Sequence, residues 1–210
     1  DYERFAEGTI VSVGNYRFDP LAGEPDLPDD LIARDGGEGP DLYLVQFVGP
    51  TQDAWLDAMA GSGLAVIQYY AQHSYLVWGT ATDIDVASTQ AFVRWVGPYH
   101  PAYRLAPELD GAAGVVRAAV LAYAPVTGDV RAAVARLGGS VFAEDEPMGD
   151  SQYIQVEIDA ARLPDLAREP GAIAIGAGWR APLIMDEMSD KISAGMISGT
   201  QPQSKPPGYR

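Results

Sequence analysis

The sequence predicts an α+β protein of two tandem ferredoxin-like modules, each an antiparallel four-stranded sheet with its helices on one face. Apolar residues make up 47% of the chain, enough to form a real core. The order strand–helix–strand–strand–helix–strand occurs twice, roughly 75 residues apart. Glycines end the first helix of both copies, at Gly61 and Gly63 and again at Gly138 and Gly139. This split β-α-β order folds most simply into a ferredoxin-like sheet.

The first module spans residues 41–105 and opens with a strand rich in β-branched and aromatic residues at 42–48. Gly49 and Pro50 end that strand, and Thr51 is the expected N-cap of the first helix. The remaining elements are predicted as strands at 64–70, 75–78 and 92–96, and a weak helix at 83–90.

The second module spans residues 113–185 and carries the clearest amphipathic signal in the chain. Val126, Val130, Val134 and Leu137 recur at helical spacing after a strand at 115–123. The remaining elements are predicted as strands at 141–142, 153–158 and 172–175, and a short helix that Asp159 caps and that carries Leu163 and Leu166.

One face of the second sheet is expected to lie opposite its helices. Alternation along the strands directs Ile154, Val156 and Ile158 towards the helices. The residues predicted on the opposite face, a docking surface for a partner protein, are Arg117, Leu121, Tyr123, Tyr153 and Gln155. Packing of this face on the sister module is the alternative.

The two ends of the chain differ in composition from the modules. Residues 1–40 form an acidic arm punctuated by Pro20, Pro25 and Pro28. Residues 186–210 begin as a short helical pattern and end in a Pro-, Gln- and Gly-containing stretch with linker composition. The second end is therefore interpreted as a connector or tail.

Charge and composition argue against several functions. The net charge of −15 disfavours nucleic acids and anionic membranes as partners. The chain has no cysteine, so thiolate metal sites and cysteine nucleophiles do not arise. The two histidines, His73 and His100, lack a neighbouring nucleophile motif and metal-ligand spacing. We therefore expect no catalytic residue, no metal and no cofactor.

An aromatic and basic cluster follows the first module's last strand. Trp95, Tyr99 and Tyr103, with Arg94 and Arg104, could stack on nucleobases or sugars. Packing within and between the modules is the favoured interpretation, since the acidic charge opposes nucleic acid.

Several segments resemble the N-terminal pro-region of large secreted bacterial subtilisin-like serine proteases. The most specific is Phe92-Val93-Arg94-Trp95-Val96-Gly97-Pro98, preceded by Tyr43-Leu44-Val45-Gln46-Phe47-Val48-Gly49-Pro50 and Trp55. Phe18-Asp19-Pro20-Leu21 resembles the stretch before that domain, and Pro182-Leu183-Ile184-Met185-Asp186-Glu187 resembles the connector to the peptidase. The resemblance covers roughly residues 10–210, and the second module matches mainly by pattern.

The resemblance implies a secreted, non-catalytic pro-region that acts as folding chaperone and inhibitor of a subtilisin-like protease domain, in cis or after cleavage. The parent protein would be a serine endopeptidase, with its catalytic triad downstream of the connector. The tail expected to run towards the protease cleft comprises Pro206, Pro207, Gly208, Tyr209 and Arg210. The alternative is a structural or adhesive extracellular module that self-associates through sheet edges or arms.

Overall fold

The computed structural model describes residues 9–34 and 39–178. In these two ranges the chain is an α+β protein with antiparallel sheets, as the sequence predicts. None of the helices in these ranges combines the length and the apolar character needed to cross a bilayer.

The strands and helices alternate in the repeated order expected from the sequence. The strands are β1 (Val11–Val13), β2 (Tyr16–Phe18), β3 (Asp41–Phe47), β4 (Ala65–Tyr70), β5 (Ser74–Gly79), β6 (Val93–Pro98), β7 (Val115–Tyr123), β8 (Ser140–Glu144), β9 (Ser151–Asp159) and β10 (Ala172–Ala177). The helices are α1 (Asp53–Gly61), α2 (Ala81–Ser88), α3 (Pro101–Arg104), α4 (Thr127–Arg136) and α5 (Leu163–Ala167). Short 3-10 turns lie at Asp29–Leu31, Pro107–Leu109, Ala124–Val126 and Ala160–Arg162.

Both modules have the same strand order. The first sheet is ordered β4-β5-β3-β6 and the second β10-β7-β9-β8, and every pair is antiparallel. In each sheet the first and third strands of the module are therefore central, and the second and fourth form the edges.

Among the described residues, three hydrophobic cores separate four layers. Phe47, Met59 and Val77 belong to a core between the first sheet and its helices α1 and α2. Val134 and Leu166 belong to the corresponding core between the second sheet and its helices α4 and α5. A third core joins the two sheets and includes Leu44 and Leu76 of the first and Leu121, Tyr123 and Ile173 of the second. The modules thus pack sheet to sheet, with their helices outside.

The N-terminal arm contains a short hairpin, β1–β2, that the sequence analysis did not predict. Val11, Val13 and Phe18 are buried in the intersheet core. The Phe18 ring meets Trp95 edge-on, with centroids 6.0 Å apart. Arg94 of β6 reaches back to the Asp19 carboxylate at 2.7 Å. The hairpin therefore packs as part of the first module's sheet face.

Helix starts differ slightly from the predicted ones. The helix for which Thr51 is the expected N-cap begins at Asp53, with Gln52 as its N-cap. The weak helix expected from Asp83 begins two residues earlier, at Ala81. Thr80 and Asp83 form a capping box there, each side chain bonding the other residue's backbone N–H. The Asp159 side chain accepts from the Ala161 N–H and so caps a 3-10 turn ahead of α5.

Candidate functional site

The five residues predicted for docking lie on one face of the second sheet. The β7–β9 register places Arg117 opposite Glu157, Ala119 opposite Gln155 and Leu121 opposite Tyr153. Ile154, Val156 and Ile158 are buried in the helix-side core, as alternation predicts. The predicted face is therefore the one turned away from the helices.

Most of that face is covered by the first module. Leu121, Tyr123 and Gln155 are only 4%, 7% and 9% exposed. The Tyr123 ring lies 5.2 Å from that of Trp78 in the first sheet. Tyr153 is half-buried against the same core. The first module therefore covers Leu121, Tyr123 and Gln155, which is the alternative packing that the sequence analysis gave. Docking of an external partner on this face stays a prediction.

The remaining part of the face, which we call the open corner, comprises Val115, Arg117, Phe142 and Glu157. Val115 is 70% exposed and Phe142 40%. The Arg117 side chain is 58% exposed and pairs with Glu157 at 3.3 Å. Its guanidinium also lies over the Phe142 ring, 5.1 Å from the centroid. Of the five predicted docking residues, Arg117 is the one on this exposed corner.

Sequence analysis missed Phe142 and Val115 for different reasons. Phe142 follows Val141, which packs on the helix-side core, so alternation along β8 turns Phe142 to the face of Arg117. The strand predicted from the sequence covered only residues 141–142, too few to assign its faces. Val115 lies on the predicted face, but its exposure depends on how far the first sheet extends over the second.

Strand β10 ends beside the open corner. The Gly178 N–H donates to the Arg117 carbonyl at 3.0 Å, one residue after β10. Gly178 has a φ of 55°, a left-handed conformation that turns the chain out of the strand. The end of β10 therefore lies next to Arg117.

A buried polar network connects the modules on the other side of the intersheet core. The Tyr70 and Tyr99 hydroxyls are 3.0 Å apart, and the Tyr99 hydroxyl donates to the Ile173 carbonyl at 3.1 Å. Burial raises the pKa of both tyrosines, that of Tyr70 well above its usual value. Both phenols are therefore neutral, which a hydroxyl donating to a carbonyl requires.

Arg104 completes this network as a buried guanidinium. It donates to the Tyr99 carbonyl at 2.7 Å and to the Glu169 carbonyl at 2.9 Å, and lies 3.4 Å from the Asp41 carboxylate. Burial lowers its pKa, and the Asp41 charge opposes that shift. Together with Tyr103, which is 4% exposed, these residues confirm the packing interpretation of the aromatic and basic cluster.

The two histidines occupy structural positions. His100 is 2% exposed, and its Nδ1 accepts the Ala33 N–H at 2.9 Å, so that nitrogen carries no proton. His73 lies in the β4–β5 turn with a left-handed φ of 61°. Within residues 9–34 and 39–178 no cluster of three or more His, Asp or Glu side chains is arranged to hold a metal ion.

The tail residues Pro206, Pro207, Gly208, Tyr209 and Arg210 lie outside the described residues, as does the connector from residue 186. They remain sequence predictions.

Comparison with protein families gives one match. A family described as a domain of unknown function, DUF8729, matches residues 12–100. The chain is similar to this family over that stretch. The matched stretch runs from the β1–β2 hairpin through the last strand of the first module. This is consistent with the packing of the hairpin against the first sheet. Comparison with curated proteins finds no match.

Proposed function

We propose that this chain is the non-catalytic pro-region of a secreted subtilisin-like serine protease, and that it assists folding of the peptidase domain and inhibits it. The support from sequence is the resemblance of residues 92–98 and of the segments before them to such pro-regions. Residues 92–98 form β6 and the turn residue before it.

The fold is compatible with this role. Both sheets have the fourth-first-third-second strand order of a ferredoxin-like module, and we propose that the chain is a tandem pair of them. A single module would offer the sheet face opposite its helices to a partner protein. These two modules pack sheet to sheet, so each covers much of that face on the other.

The observation that carries the proposal is where the second module ends. Gly178 is bonded to Arg117 at the open corner, and the residues after it include the stretch that resembles a connector to a peptidase. A domain joined through that connector would be attached on the side of the second sheet on which β10 ends. In this proposal Arg117 marks the side that faces the peptidase.

The inhibitory element would be the tail at residues 206–210. An extended chain in the cleft forms backbone hydrogen bonds with the protease while offering no bond to cleave. The modules would then hold the tail near the cleft, which raises its effective concentration there.

The edge strands argue against the adhesive alternative. The outer edge of β10 is taken by the intermodule linker, since Leu105 bridges Ile175 and the Ala106 N–H donates to the Ile175 carbonyl at 2.9 Å. β8 carries a bulge and ends in Glu144, features that limit edge-to-edge pairing. β4 also has a register irregularity, between Val66 and Gln68.

Inhibition of the peptidase domain from the same precursor tests the proposal. The full chain should slow peptide hydrolysis at micromolar concentration, and a chain ending at Thr200 should inhibit much more weakly because it lacks the cleft-directed tail. A chain lacking residues 1–8 is the matched control, and it should inhibit like the full chain.

Two results would contradict the proposal. One is unchanged hydrolysis with the full chain at micromolar concentration. The other is a gene whose codons after Arg210 encode no peptidase with Asp, His and Ser motifs of the subtilisin type. Polymerisation of the isolated chain, measured by light scattering, would support the adhesive alternative instead.

A further inference from the structure

Residues 19–30, which we call the strap, run from the first module to the second. At one end the Asp19 carboxylate lies 2.7 Å from the Arg94 guanidinium of β6. At the other end the Arg168 guanidinium of the second module donates to the Asp30 carbonyl. Between these ends Leu27 is buried in the intersheet core. The strap is therefore held at both ends and along its length.

The turn that follows Asp19 is an exposed part of the strap. Leu21 is 65% exposed, and Ala22 and Gly23 are exposed as well. The Leu21 N–H donates to the Asp19 carboxylate at 3.1 Å, and those of Ala22 and Gly23 donate to the Asp19 carbonyl at 2.9 and 3.2 Å. The turn can therefore open by giving up these local bonds, without separating any pair of strands.

Other large apolar side chains lie in backbone that is harder to open. Tyr69 and Phe142 lie in the paired strands β4 and β8. Met148 is 78% exposed, but its N–H and carbonyl both bond to Ser151 in the β8–β9 turn. An endopeptidase binds its substrate as an extended strand, so the backbone around the bond must first leave its own hydrogen bonds. The turn at Leu21 requires less unfolding than these sites.

We propose that the Leu21–Ala22 peptide bond is a proteolytic modification site for an endopeptidase with an apolar S1 pocket, and that the cut releases the β1–β2 hairpin. The Leu21 side chain offers such a pocket an apolar group. Hydrolysis adds water across the bond. The hydroxyl of the water goes to the Leu21 carbonyl carbon, and the Ala22 nitrogen takes the proton and leaves as an amine. The proposal does not depend on the function proposed above.

The strap keeps the hairpin attached to the rest of the chain. The apolar side chains of the hairpin are buried in the intersheet core, and attachment holds its effective concentration there in the millimolar range. After the cut, the residues up to Leu21 are held by noncovalent contacts alone, so dilution favours dissociation. Departure of the hairpin uncovers Trp95 and Tyr103, whose rings contact Phe18.

Limited digestion of the full chain with chymotrypsin, whose S1 pocket is apolar, followed by mass spectrometry tests the site. Among the bonds within residues 9–34 and 39–178, the bond after Leu21 should be cut first. Leu21→Asp should slow that cut at least about tenfold, because an ionised side chain does not suit the pocket. Met148→Asp is the matched control and should leave cutting after Leu21 unchanged. Both side chains are more than half exposed, so the variants should keep the fold.

Size-exclusion chromatography of the cut and diluted chain tests the release. The N-terminal fragment that ends at Leu21 should elute apart from the remainder. Earlier cutting elsewhere in the described ranges would overturn the site, as would cutting between residues 21 and 22 that Leu21→Asp does not slow. Co-elution of the fragment with the remainder at every dilution would overturn the release of the hairpin.

Discussion

At the scale of single residues, the polar groups buried between the modules join the two halves of the chain. Arg104 lies at the end of the first module, yet it donates to the Glu169 carbonyl of the second. Tyr99 likewise follows β6 and donates to the Ile173 carbonyl in β10. Buried polar groups are costly when a partner is removed, so these contacts make the intermodule packing specific as well as apolar.

Arg104 is the residue whose replacement should be most damaging in this network. Arg104→Met keeps much of the side-chain volume but leaves the Tyr99 and Glu169 carbonyls without their donor. We expect a loss of about 2–3 kcal/mol in the free energy of unfolding, measured by urea denaturation. Arg104→Lys should lose less, because it retains the charge near Asp41 but cannot reach all three acceptors. A midpoint equal to that of the unmodified chain would show that the network contributes nothing to stability.

At the scale of elements, the long strands and helices with a regular apolar pattern could be predicted from the sequence, and the short ones could not. The strand predicted at 115–123 coincides with β7, and the apolar stripe from Val126 to Leu137 marks α4 within one residue at each end. These elements are long and periodic, so local sequence determines them. The β1–β2 hairpin has strands of three residues, too short for any alternation to be recognised.

In the candidate site, too, the sequence predicted the local feature, the sheet face of each residue, and missed the one that depends on distant contacts. Alternation placed all five predicted docking residues on the correct face, because side-chain direction follows the strand period. It could not tell which part of that face the sister module covers, since this depends on contacts such as Trp78 with Tyr123 between distant parts of the chain. The predicted strand at 141–142 was likewise too short to assign the face of Phe142, which lies on the side of Arg117.

Gly97 in β6 allows a test of one element. A Cβ at this position would lie 2.1 Å from the Trp95 ring, which packs against Phe18. Gly97→Ala should therefore displace the indole and cost about 1–3 kcal/mol in the free energy of unfolding, as overpacking does in other cores.

Gly49→Ala is the matched control for Gly97, because a Cβ there meets nothing within 4 Å. Urea denaturation compares the two variants with the unmodified chain. Equal stability of both variants would mean that the indole moves aside without loss, and that Trp95 does not need its position over Gly97.

At the scale of the whole molecule, the intersheet core makes the two modules a single packing unit. It includes residues from the hairpin, the first sheet, α3 and the second sheet. A module separated from its sister would expose much of this core to water. Apolar burial contributes about 25 cal/mol per Å², so separation would lose a large part of the stabilising area of each half. We therefore expect the described region to unfold cooperatively.

Leu166→Ala distinguishes one cooperative unit from two independent ones. Leu166 is fully buried in the core between the second sheet and its helices. Its truncation should lower the free energy of unfolding by about 2–5 kcal/mol.

Trp55, Trp78 and Trp95 all lie in the first module, so in a Trp179→Phe background fluorescence reports on that module. If the modules unfold together, the fluorescence midpoint in urea shifts with the circular dichroism midpoint. A fluorescence transition that stays in place while the dichroism becomes biphasic would show independent modules, because destabilisation of the second would then leave the first folded.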